Sequence, residues 1–102
     1  MAILTLLSSS TQGASATYFF DNTKFTARTF QATVSGTGAV TGKVTITVSN
    51  DNVGYIPFTV FNMSGTTTVC SGMSDSGPWP YINVSLDTLT GTGDSATVTM
   101  GI

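Results

Sequence analysis

The sequence predicts an all-β fold: an antiparallel β-sandwich, jelly-roll or immunoglobulin-like, of about eight short strands with no significant helix. Three observations carry this. Apolar residues alternate with Thr and Ser through much of the chain, the period of a half-buried strand. Clusters of Gly, Asn, Asp and Ser interrupt the alternation at short intervals. Good helix formers are scarce, with no Glu and only 3 Lys and Arg together. At 102 residues the chain is expected to form one sandwich domain, 1–102.

Residues 2–8 form the first expected strand. Ile3, Leu4, Leu6 and Leu7 do not alternate, and a strand apolar on both faces needs two covers. Residues 1–8 are therefore expected to pair with another chain, with these four residues in the contact. Residues 16–20 are aromatic and β-prone, and Asp21-Asn22-Thr23-Lys24 reads as a turn. A long strand follows over 25–35, with Phe30, Ala32 and Val34 on one face. Gly36-Thr37-Gly38 reads as a hairpin reversal. Residues 39–49 carry the cleanest alternation, with Val44, Ile46 and Val48 facing in. Residues 50–54 form a polar loop.

The next strand, 55–61, contains Pro57, which removes a ladder donor and favours an edge or a bulge. Residues 62–65 turn the chain, 66–71 are strand-like, and 72–80 form a loop. Trp79, the only tryptophan, lies there between two prolines. Residues 81–89 point Ile82, Val84 and Leu86 to one face. Thr90-Gly91-Thr92-Gly93-Asp94 is a second Gly-Thr-Gly reversal, and Ala96, Val98, Met100 and Ile102 alternate after it. The polar side of 81–89 holds Tyr81, Asn83, Ser85 and Asp87, and an unbroken strand would put Trp79 with them. Trp79 and Tyr81 are thus expected as anchors for a partner, unless Pro80 swings Trp79 into the core.

Composition narrows the function. Charged residues are 8% of the chain, against roughly 25% in typical soluble domains. Mean hydropathy is +0.26. So few charges suit a domain partly covered in an assembly. The net charge of −2, with Lys24, Arg28 and Lys43 the only bases, argues against nucleic acid and against a polybasic membrane contact. No apolar run approaches a membrane-spanning helix. The apolar N-terminus has no basic flank, so the chain reads as mature protein from Met1. Cys70 is alone and reads as a small buried hydrophobe.

No chemistry of an enzyme emerges. Histidine, the usual general base, is absent, and all 5 acids are Asp, four of them in or beside turns. Zinc would need His or several Cys, and the Asn50-Asp51-Asn52 turn lacks the ligand spacing of a calcium loop. No catalytic residue, metal or cofactor is expected. Trp79 and Tyr81, two residues apart among polar neighbours, also have the make-up of a carbohydrate-binding face.

From residue 44 onward the motifs run in a distinctive order. They are Val44-Thr45-Ile46-Thr47-Val48-Ser49-Asn50-Asp51, Ser64-Gly65-Thr66-Thr67, Gly77-Pro78-Trp79-Pro80-Tyr81-Ile82, and Leu89-Thr90-Gly91-Thr92-Gly93-Asp94. This order resembles small virion structural proteins of tailed bacteriophages, the capsid decoration or cement proteins. Two positions depart from that pattern: Tyr55 stands where a tryptophan is usual, and Asn83 where an arginine is frequent. The resemblance implies a β-sandwich on the outside of the virion shell, binding the major capsid protein, with a dimer or trimer expected. Two other classes stay open: a glycan- or receptor-binding module on a phage fibre, and a head–tail connector or tail component.

Overall fold

The computed structural model describes residues 3–19, 28–75 and 79–101. The expected turn at 21–24, the start of the 25–35 strand, part of the 72–80 loop and Ile102 lie outside the described residues. Those described form an all-β structure without helix. The strands are β1 (Ile3–Ser9), β2 (Ser15–Phe19), β3 (Arg28–Ser49), β4 (Ile56–Asp75) and β5 (Tyr81–Gly101). All pairings are antiparallel, in the order β1-β5-β3-β4, with β2 also on β5.

The count of about eight short strands thus becomes five, and the reason is visible at the glycines. The 22 residues of β3 would span roughly 70 Å if straight. The longest dimension of the molecule is 43 Å. β3 therefore bends, and its pairing slips between Ser35 and Ala39 on the β4 side and between Ser35 and Thr41 on the β5 side. A Cβ added to Gly42 would stand 2.6 Å from Cγ2 of Val34. Residues eight apart on a straight strand would be roughly 26 Å apart, so the two arms of β3 face each other. β5 bends beside it at Gly91 (φ 144°) and Gly93 (φ 60°), and β4 has Thr67 at φ 61° near Gly65. Both φ signs at the β5 glycines lie where glycine is favoured.

The reversals expected at 36–38 and 90–94 are real, but they are not hairpins. A hairpin would hydrogen-bond its two arms side by side. Here both arms of β3 keep β4 and β5 as neighbours, both arms of β5 keep β3 but exchange β2 for β1, and the whole sheet folds over its glycines, strands switching layers at the bend. The expected turn at 62–65 and the first part of the 72–80 loop likewise belong to β4. The result is a β-sandwich. The first layer holds β1, the N-terminal half of β3 and the C-terminal halves of β4 and β5. The second holds β2 and the other halves.

One core fills the space between the layers. Ala32, Val34, Val98 and Met100 from the first layer meet Val44, Ile46, Ile82, Val84 and Leu86 from the second, all fully buried. Each of these side chains other than Ala32 contributes about 1.5–3 kcal/mol of apolar burial. Val40 sits at the bend. At the open end Phe30 and Phe58 meet edge-on, ring centroids 5.8 Å apart.

β1 corrects another expectation. Its pairing with β5 slips between Thr5 and Leu7. The extra residue at this bulge lets Leu6 and Leu7, consecutive in sequence, both turn inward. The broken alternation therefore reflects a bulge within this chain, and Leu6 and Leu7 are core residues rather than partner contacts. Leu4 packs against the same core, and only Ile3 stays largely exposed. Residues 10–14 then carry the chain past the bend along β5, with Gly13 N donating to Leu86 O and Leu86 N donating to Ala14 O, both at 2.8 Å.

Candidate functional site

The outer face of the second layer takes its side chains from the polar half of each alternation. Cross-strand rows follow from the register. Phe19, Tyr81 and Ser49 form the row at the open end, and Thr17, Asn83 and Thr47 the next. Ser15, Ser85 and Thr45 form the third.

The first row is aromatic. The Phe19 and Tyr81 rings lie 5.0 Å apart at an interplanar angle of 50°. Phe19 is 64% exposed and Tyr81 half-buried. In the second row Asn83 Nδ2 donates to Thr17 Oγ1 at 2.8 Å, which fixes the amide beside the rings. Further down, Thr45 Oγ1 and Ser85 Oγ both donate to Asp87. The aromatic end itself, Phe19, Tyr81, Thr17, Asn83 and Thr47, carries no charge.

The 50–54 loop borders this end, because it leaves β3 directly after Ser49. Asp51 organises it. Its Oδ1 accepts from Val53 N at 2.9 Å and Gly54 N at 3.0 Å, and from Ser49 Oγ at 2.9 Å. These donors, Val53 N foremost, hold the Asp51 carboxyl below the usual aspartate range. These bonds to Asp51 Oδ1 all come from residues 49–54, the pattern of an Asx turn. No group of three or more metal-ligating side chains occurs among the described residues.

Trp79 takes the other course that its prolines allowed. It is half-buried and packs against the core cluster at the open end. Its carbonyl accepts from Nη1 of the buried Arg28 at 2.8 Å. Trp79 and Tyr81 are thus not one exposed pair: Trp79 plugs the end of the sandwich, and Tyr81 pairs with Phe19 across two strands. Of the expected partner contacts, Tyr81 and Ile3 remain at the surface, on opposite layers, so the set does not converge. Sequence reasoning missed Phe19 because only the register between β2 and β5 places it beside Tyr81. Cys70 also departs from expectation: it is exposed, 3.4 Å from Thr33 Oγ1, rather than buried.

Comparison with known proteins bears on the fold. No protein-family model matches the chain. No curated protein matches it either. Among solved structures it is similar to the carbohydrate-binding module CBM32 of AlyQ, solved in complex with 4,5-unsaturated mannuronic acid. That superposition has a TM-score of 0.54 at 13% identity and covers 98% of this chain and 93% of that one. A structure described as CBM4 aligns at TM-score 0.36 and 14% identity, covering 98% of this chain and 68% of its own, too distant to add to the comparison. At such identities the likeness speaks to the fold alone.

Proposed function

We propose that this chain is a glycan-binding domain without catalytic activity, and that its contact face is the aromatic end of the second layer. The observation that carries the reading is the Phe19–Tyr81 pair beside the tethered Asn83 amide and the Thr17 hydroxyl. Aromatic faces take the C–H side of a sugar ring, and fixed hydroxyl and amide groups take its hydroxyls. The fold is consistent with this, since the CBM32 structure it resembles is a carbohydrate-binding module. The ligand of the AlyQ module is an acid. Among the described residues this end offers no cation to pair with a carboxylate, which favours a neutral glycan here.

A glycan array probed with the wild type, Tyr81→Ala and Phe19→Ala tests the reading. Neutral glycans should be retained by the wild type, and each variant should bind at least about tenfold more weakly, as for aromatic hot spots. Circular dichroism should be unchanged in both. Equal binding by wild type and variants would refute the assignment.

A second reading, a capsid decoration protein bound as a dimer or trimer to the major capsid protein, draws on the edge strand β4. There Ile56 and Val60 are 49% and 43% exposed, and Val53 in the preceding loop 85%. Such a protein would be present in hundreds of copies per particle, whereas a fibre module or a connector would be present in few. Quantitative mass spectrometry of purified particles separates them.

A further inference from the structure

We propose that the outer face of the first layer holds a second binding site, a trough for a segment of neutral oligosaccharide. It lies on the layer opposite the aromatic end and rests on its own lining. The trough encloses about 440 Å³, within the usual range of ligand sites. It crosses four strands at outward positions: Ile3 on β1, Thr99 and Gly101 on β5, Thr29 and Gln31 on β3, and Gly72 on β4.

Two glycines shape the face. Gly101 lies in one cross-strand row with Ile3 and Thr29, and Gly72 is opposite Gln31 in the next. A Cβ at Gly101 would stand 2.5 Å from Thr29 Oγ1, and one at Gly72 2.8 Å from the Phe30 carbonyl oxygen. Backbone therefore forms the floor at Gly72, while at Gly101 the Thr29 and Ile3 side chains close over the space. Ile3, 65% exposed, leans over Gly101 as an apolar wall.

The described lining residues carry no carboxylate, ammonium or guanidinium, so a charged ligand would shed water there without gaining a counter-charge from them. The side chains of Thr29, Gln31 and Thr99 make no hydrogen bond to the described residues. On the opposite face, by contrast, Thr17 and Ser85 are bonded to Asn83 and Asp87. The trough thus presents open hydroxyl and amide groups between methyl-bearing surfaces, the two kinds of contact a sugar ring needs. Its three strand spacings span roughly 14 Å, longer than one ring, so the occupant is a chain of rings.

The test uses the intact protein, labelled with nitrogen-15 and titrated with cellotriose, maltotriose, xylotriose and mannotriose, with trimannuronate as the charged comparator. At least one neutral trisaccharide should saturably shift the amides of Gln31, Gly72, Thr99 and Gly101. Gln31→Ala should weaken that response roughly tenfold. Cys70 lines the same trough and is the only cysteine, so the sugar should also slow its reaction with a maleimide. Tyr81→Ala should leave all of this intact, which keeps the outcome separate from that at the aromatic end. The proposal is overturned if no neutral trisaccharide moves these amides at millimolar concentration, if trimannuronate binds equally well, or if Tyr81→Ala abolishes the response.

Discussion

Asp51 shows how a single side chain can organise a loop. Its carboxylate accepts from Val53 N, Gly54 N and Ser49 Oγ, and these bonds lower its pKa. A depressed aspartate stabilises the fold above its unfolded pKa, and that contribution is lost as pH falls through the folded value. The group is exposed, so the effect is local. We expect the amide signals of Val53 and Gly54 to titrate together, at a pH below the ordinary aspartate range. Titration at the ordinary value would mean that these bonds do not form in solution. Leu6, buried by the bulge in β1, makes a second case. Leu6→Ala should destabilise by about 2–5 kcal/mol in urea unfolding, the range for truncating a buried leucine. A residue contacting only a partner chain would show almost no change as a monomer.

At the scale of the element, the bends decide the architecture. Gly42 faces Val34 so closely that a methyl group there has no room. Gly42→Ala should cost about 1–3 kcal/mol by overpacking, a fall in Tm of several degrees for each kcal/mol. If thermal unfolding is unchanged, the two arms of β3 do not face each other as described. Sequence patterning located the bends well, because Gly36, Gly38, Gly91 and Gly93 interrupt the alternation where the strands turn. It could not say whether the arms pair side by side or stack face to face. Both arrangements need the same glycines, and the choice depends on which strands lie alongside. The bulge in β1 was illegible for a similar reason: one extra residue looks like a strand apolar on both faces until its partner's register is known.

For the whole molecule, the shortage of charge sets the expected behaviour in solution. Binding through uncharged aromatic and hydroxyl groups should depend little on ionic strength. Glycan affinity should therefore vary less than about twofold between roughly 50 and 500 mM salt. A steep loss would point instead to Lys43, an exposed base on this layer, and to an acidic ligand. Trp79 reports on closure of the sandwich. Half-buried against the core, it should emit to the blue of the unfolded chain in a dissociated monomer, with the shift lost on unfolding. An unshifted spectrum in the folded monomer would place the indole outside.

The amino-acid pattern alone determined that this chain is all-β and antiparallel, that the alternating residues of 30–34, 44–48, 82–86 and 96–100 face the core, and that no histidine-based chemistry is available. Period-two alternation and absent residue types are local properties, readable without partners. Only the tertiary structure decided that the sheet folds over its glycines, that Leu6 and Leu7 point inward together, that Trp79 plugs the open end, and that Phe19 stands beside Tyr81. Each of these depends on register between strands far apart in sequence. A one-residue slip there moves a side chain to the opposite face, and nothing local records it.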